Sequence, residues 1–268
     1  MRKIKVYAPA KINLFLNILS KDDKYHKMHM INTSIDLYDI LTIEIIDKGI
    51  ILECNNKDIP IDKSNSVYKA IEVFLEYTNI NSGIKVYINK HIPIESGLGG
   101  ESTDAAATLV GLNKLLGTNL SEEELLKLGS KIGSDVPYSI KSRTQEVEGY
   151  GEILKDYNID YKYFLVIKPN ISCSTKDMFK KYDKLNQYKK ISITIGHNDF
   201  TKVVDKRILS IINKLSNSNA LYSFLSGSGS SVIGIYDNEE LLDKDSKLFK
   251  NNEVYKTSIV NGIKIEEL

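Results

Sequence analysis

The sequence predicts an α+β fold in two domains, and three observations carry that prediction. The chain has 268 residues, more than one ordinary core needs. Its first half mixes two-residue and 3.6-residue apolar periods. A strand-like pattern restarts near Tyr161 after a soft break around residue 155, which divides the chain into 1–155 and 156–268.

The opening is extended. Ile4-Lys5-Val6-Tyr7 and Ala10 to Leu16 read as strands separated by Pro9. In the second run the two-residue period places Ile12, Leu14 and Leu16 on one face and Lys11, Asn13 and Phe15 on the other. Further strands are expected at Ile40–Ile46, Ile50–Cys54 and Ile84–Ile88, with a helix over Ser64–Tyr77 through Val67, Ile71, Phe74 and Leu75. Ile92-Pro93-Ile94 reads as a strand feeding a glycine-rich turn, Glu95 to Gly100. A helix follows with Ala105, Leu109, Leu112 and Leu116 on one stripe and Gly117 at its C-terminal cap. Ser121-Glu122-Glu123-Glu124 has capping-box spacing for another helix, ending near Gly133. The second half opens with a strand at Tyr163–Ile167 and a lysine-rich stretch. Helical patterns follow between Asp199 and Leu215, then two strands joined across Gly227-Ser228-Gly229.

Composition bounds the function. With 42% hydrophobic and 26% charged residues the chain is an ordinary globular protein. Lys+Arg 36 against Asp+Glu 35 leaves no whole-molecule field for nucleic acid or an anionic membrane, so any phosphate site must be local. Cys54 and Cys173 lack metal or redox spacing, and Arg2, Lys3, Lys5 and Lys11 interrupt any apolar leader. With no 18-residue apolar run, the expectation is a cytoplasmic protein without nucleic-acid or membrane partners.

Glycines 97, 99 and 100 immediately before a helix point to an anion site. Backbone N–H groups there lack intrahelical partners, the helix dipole is positive, and glycine removes Cβ atoms from the approach. Neither a Walker A loop nor the dinucleotide fingerprint is present. Taken alone, Asp135 before Val136-Pro137 reads equally as a helix N-cap or a general base. A lone Lys11 reads as an exposed strand lysine. His26 and His29 have helical spacing but no third ligand, so no metal site is assigned; Met28 and Met30 read as core. Lys176, Lys180, Lys181, Lys184, Lys189 and Lys190 read as a solvated helix face, within which Phe179 and Tyr182 are available to a base.

In this order the pieces resemble the 4-diphosphocytidyl-2-C-methyl-D-erythritol kinase family of the GHMP superfamily. The matching segments are Pro9-Ala10-Lys11-Ile12-Asn13-Leu14-Phe15-Leu16 with Tyr25-His26, Ile92 through Ala106, Gly133-Ser134-Asp135-Val136-Pro137, and Gly149 through Leu154. The resemblance implies a two-domain GHMP kinase fold, with a ribosomal-S5-domain-2-like N-terminal domain and a ferredoxin-like α/β sandwich after it. By the same resemblance the substrate is a small cytidine diphosphate-linked methylerythritol, the cofactors are ATP and Mg²⁺, and the protein is a monomer or weak homodimer. Pro93, Ile94, Glu95, Ser96, Gly97, Leu98, Gly99, Gly100, Glu101, Ser102 and Thr103 would wrap the ATP phosphates. Asp135 would take the proton of the substrate's 2-hydroxyl with Lys11 beside it, and Asn13, Tyr25, His26 and Phe179 would bind the substrate. The family commonly has Asp-Gly-Tyr-His where this chain reads Asp23-Lys24-Tyr25-His26, and a third glycine where it has Glu101. Another acceptor within the superfamily, and a non-catalytic nucleotide- or RNA-binding module, are the rival readings.

Overall fold

The computed structural model describes residues 2–23 and 25–268. Two long strands, β1 (Lys3–Lys21) and β2 (His26–Ile46), form its antiparallel spine. Pro9 does not interrupt β1; the register shifts there and the strand continues. A second shift falls between Asn13 and Phe15, and it corrects the expected faces. After it Leu16 joins Lys11 and Asn13 at the cleft described below, while Phe15 packs with Ile12 and Leu14 in a core cluster. One extra residue on one strand exchanges the faces of everything beyond it.

Strand β2 is the hub of the sheet. Its first part pairs with β5 (Gln145–Gly149), its middle with β10 (Glu253–Val260), and its last part with β4 (Gly83–Asn89), which β3 (Ile50–Cys54) joins in parallel. β6 (Ile153–Asp156) extends β5 as a hairpin. Antiparallel ladders then run from β10 to β7 (Tyr163–Lys168), β9 (Val232–Tyr236) and β8 (Tyr222–Leu225). The last strand, β11 (Lys264–Glu267), returns beside β1, so both ends of the chain share one ladder.

Helices cover the sheet in two groups. α1 (Ser66–Thr78), α2 (Gly100–Leu115), α3 (Glu122–Ser130) and the short α4 (Val136–Lys141) bury Phe74, Leu109 and Leu128 against Ile4, Val6 and Ile43. α3 starts with the expected capping box: Glu124 N–H donates to Ser121 Oγ at 3.3 Å, and Ser121 N–H donates back to Glu124 Oε2 at 2.9 Å. α5 (Thr175–Asp183), α6 (Lys206–Ser216) and α7 (Glu239–Ser246) bury Met178, Ile208 and Leu242 against Leu165, Ile167 and Val232. The lysines of α5 stay exposed while Tyr182 is buried.

Two expectations fail locally. Ile92–Ile94 is not a strand, because β4 ends at Asn89 and the N–H groups of His91 and Ile92 donate to the Asp39 carboxylate at 2.7 and 2.9 Å instead of to a ladder. His26 and His29 do not share a helical face; both lie on β2, three residues apart, where the alternation of a strand separates them. Among the described residues no helix is long and apolar enough to cross a membrane.

Candidate active site

A cleft of about 1480 Å³ opens between the N-terminus of α2, the start of α4, the bulged part of β1 and the N-terminus of α5. A pocket for one small molecule spans roughly 300–1000 Å³, so this cleft has room for two ligands. Its centre is Lys11. The ammonium, on a side chain only 8% exposed, lies 2.8 Å from Asn13 Oδ1 and 3.6 Å from Asp135 Oδ2. Asn13 is held in turn by its Nδ2 donating to Asn32 Oδ1 at 2.6 Å. Asp135 occupies the N-cap position of α4, yet its side chain makes no capping bond. The two readings of this residue separate there: the position is a cap, and the carboxylate faces Lys11.

The glycine loop packs over this pair. Lys11 N–H donates to Leu98 O at 2.9 Å, fastening β1 to the loop. Gly97 and Gly99 have φ of +76° and +72°, which side-chain-bearing residues rarely adopt. A Cβ on Gly97 would stand 2.1 Å from Ser226 O, and one on Gly99 would stand 2.8 Å from Lys11 Cγ. These two glycines therefore clear protein neighbours, where the sequence points to clearance for an anion. The second glycine turn is the neighbour of the first: Ser226 Oγ donates to Gly97 O at 3.1 Å and Ser231 N–H to Ser96 O at 3.0 Å. Helix α2 has no side-chain N-cap, and among the described residues nothing accepts from the N–H groups of Gly100, Glu101 and Ser102. Those three donors and the positive end of a 16-residue helix give this end of the cleft the chemistry to hold an anion.

Of the loop residues, Pro93 through Ser102 line the cleft, whereas Thr103 does not. Its hydroxyl donates to Pro9 O at 2.8 Å and its N–H to Gly99 O at 3.0 Å. Beneath the loop lies a triad that sequence reasoning missed. Lys90 bridges Asp39 and Asp104, reaching the latter at 2.8 Å. Burial alone would lower the Lys90 pKa, but Asp104 and Asp39 outweigh it and raise it. Burial, offset in part by Lys90 and reinforced by Asp39, pushes the Asp104 carboxyl well above its usual range. No local periodicity announces this triad, since its members are 51 and 14 residues apart.

At the other end the aromatic residues only partly assemble as expected. His26 stacks on Phe179 with centroids 4.2 Å apart and planes at 17°, and its Nε2 lies 2.7 Å from Asp183 Oδ1. Tyr25 stands apart, 64% exposed and edge-on to Tyr150 at 6.1 Å. The Lys24 departure lies outside the described residues. Asp183, an acid one helical turn after Phe179 in a lysine-rich segment, also accepts from Lys21 at 2.6 Å and Tyr188 at 2.7 Å. Burial would raise its pKa, but these bonds outweigh it and pull it down to about 2. Elsewhere His29, Glu146 and Glu148 bring three ligand-type atoms within 4.8 Å, but Glu148 is already paired with Lys155 at 3.0 Å.

This fold and the glycine loop feeding α2 define a GHMP kinase. The GHMP kinases N terminal domain family matches residues 65–143. Homoserine kinase from Cytophaga hutchinsonii has the same fold, with a TM-score of 0.77 at 19% identity over 99% of this chain and 98% of that one. A crystal structure of 4-(cytidine 5'-diphospho)-2C-methyl-D-erythritol kinase superposes with a TM-score of 0.80 at 23% identity, covering 96% of this chain and all of that chain. In sequence the chain is 40% identical over 255 residues to a 4-diphosphocytidyl-2-C-methyl-D-erythritol kinase of Clostridium botulinum, covering 87% of this chain and 90% of the relative. It is 38% identical to the enzyme of that name from Thermoanaerobacter pseudethanolicus, covering 91% of each. The chain belongs to the 4-diphosphocytidyl-2-C-methyl-D-erythritol kinase family.

Proposed function

We infer that this chain transfers the γ-phosphoryl group of ATP to the 2-hydroxyl of 4-diphosphocytidyl-2-C-methyl-D-erythritol, releasing ADP, within isoprenoid precursor synthesis by the methylerythritol phosphate pathway. The observation that carries the reading is the Lys11–Asp135 pair, 3.6 Å apart, set between an uncapped helix N-terminus and an aromatic end in one cleft.

Each group has a task the geometry suits. The N–H groups at the start of α2 hold phosphate oxygens. Asp135 accepts the proton of the attacking hydroxyl, and Lys11 stabilises both that carboxylate and the negative charge developing on the transferred group. Asn13, locked by Asn32 and Lys11, orients the acceptor. His26, presented by Asp183, reads the cytosine edge, while Phe179 backs the imidazole and Tyr25 closes on the base from the exposed side. The oxygen donors at the phosphate end suit Mg²⁺, and Glu101 is the carboxylate there that would hold it. The charge neutralisation that Mg²⁺ would supply there would ease the approach of the phosphates to Glu101.

The same reading assigns residues 1–155 to a ribosomal-S5-domain-2-like unit and 156–268 to a ferredoxin-like α/β sandwich. The antiparallel run β10-β7-β9-β8 under α5, α6 and α7 supports the second assignment. The near balance of charge supports an enzyme of small molecules, and the same reading puts it in the cytoplasm. Incubation of the purified chain with Mg-ATP and the cytidyl acceptor, followed by ³¹P NMR, tests the function. A new phosphomonoester resonance matched by ADP is expected; ATP left intact beside unchanged acceptor would contradict it.

A further inference from the structure

Charge along the cleft opposes its proposed ligands. Among the described residues, three lysines line it (Lys11, Lys90 and Lys131) against seven carboxylates. Two of those lysines are already paired with carboxylates of the lining, Lys11 with Asp135 and Lys90 with Asp104, which leaves Lys131 against five. A triphosphate and a diphosphate-linked acceptor must therefore enter a lining of their own sign, aided by Lys131 and the start of α2. Glu101 makes the conflict sharpest. It is the second residue of α2, exposed to the cleft between the free N–H groups of Gly100 and Ser102, where the proposed function puts the phosphates. Its Oε1 accepts from the hydroxyl of Ser66, the first residue of α1. This holds the carboxylate at the junction of two helix N-termini and inside the cleft.

We propose that Glu101 makes nucleotide binding conditional on a divalent cation, repelling the bare triphosphate and receiving the Mg²⁺ that accompanies it. A carboxylate beside phosphates is repulsive in low-dielectric surroundings and becomes attractive once a cation sits between them. The two ligands are then coupled through this side chain, and by linkage the coupling is reciprocal: Mg²⁺ tightens ATP by the factor by which ATP tightens Mg²⁺. This inference rests on the kinase reading and adds to it a residue that distinguishes the metal-loaded nucleotide from the free one.

The test is ATP affinity of the full chain by titration calorimetry, in EDTA and in excess Mg²⁺, for the wild type, Glu101→Gln and Ser66→Ala. Mg²⁺ is expected to tighten ATP by about tenfold or more in the wild type. In Glu101→Gln the metal-free affinity rises and the Mg²⁺ enhancement shrinks to about threefold or less. Ser66→Ala, which keeps the carboxylate but frees it from its anchor, gives an enhancement between those of the wild type and Glu101→Gln. An equal enhancement in the wild type and Glu101→Gln overturns the proposal, as does a Ser66→Ala enhancement below that of Glu101→Gln. No ATP binding by the wild type in either medium removes the kinase reading, and this inference with it.

Discussion

Asp135 illustrates how a single residue can satisfy two descriptions while only one has chemical content. It stands at the N-cap position of α4 but caps nothing, and its carboxylate is turned toward the Lys11 ammonium. Replacing it with Asn keeps the shape and removes the proposed base. Turnover with ATP and the cytidyl acceptor is expected to fall about 10²- to 10⁴-fold, with the melting temperature within about 2 °C of wild type. Steady-state kinetics and a thermal melt check both halves. The proposed role of His26 is in binding the acceptor before the chemistry, so His26→Ala should raise the acceptor KM about tenfold and leave kcat within about threefold. Asp183 presents that histidine, and its titration has a defined sign. Its pKa falls from the ordinary 3.8 to about 2 in the fold, so its stabilising contribution is complete above about pH 4 and disappears as the pH falls through about 2. Stability curves between pH 5 and 2 should show a loss that Asp183→Asn diminishes; identical slopes in the two proteins would remove this role.

The glycine loop and its neighbours show what local sequence can and cannot carry. Gly97 combines a positive φ with a position where Cβ would collide with Ser226 O, whereas Gly117 has a positive φ of +64° in open space. Gly97→Ala is therefore expected to destabilise by about 3 kcal/mol and Gly117→Ala by about 1 kcal/mol. Urea unfolding midpoints measure the difference, and equal effects would mean that the loop and the second glycine turn do not depend on one another. Helix α1, the capping box of α3 and the β8–β9 pair are legible because propensity, capping chemistry and apolar period are local properties. The bulge at Asn13–Phe15 is not. Nothing between Lys11 and Leu16 announces an extra residue, because both faces of that stretch are buried and alternation carries no polarity signal. The first part of β2 is hidden similarly, since buried polar residues such as Asn32, Thr33 and Ser34 blur its pattern.

Across the whole chain, the site exists because distant segments converge. Lys11 comes from β1, Glu101 from α2, Asp135 from the start of α4, and the Phe179–His26 stack joins α5 to β2. The segments that supply Lys11, the glycine loop, Asp135 and His26 could be read in the sequence, because each has a distinctive local composition. The tasks of Asp39 and Asp104 beside Lys90, of Asp183 beside His26 and of Tyr150 beside Tyr25 could not, because each arises only through contacts across the sheet or cleft. The closure of the sheet by β10 and β11 was equally hidden, being a pairing over more than 200 residues. The fold itself is shared with homoserine kinase, at a TM-score of 0.77, and with mevalonate kinase, at 0.69, so architecture does not choose the acceptor. The proposed function gives that choice to the aromatic end of the cleft. The decisive measurement is kcat/KM with Mg-ATP for the cytidyl acceptor beside mevalonate, homoserine and galactose. Recognition by His26 and its neighbours predicts turnover confined to the cytidyl acceptor, at least about 10³-fold above the others. Comparable or faster turnover of one of the other three acceptors would contradict it.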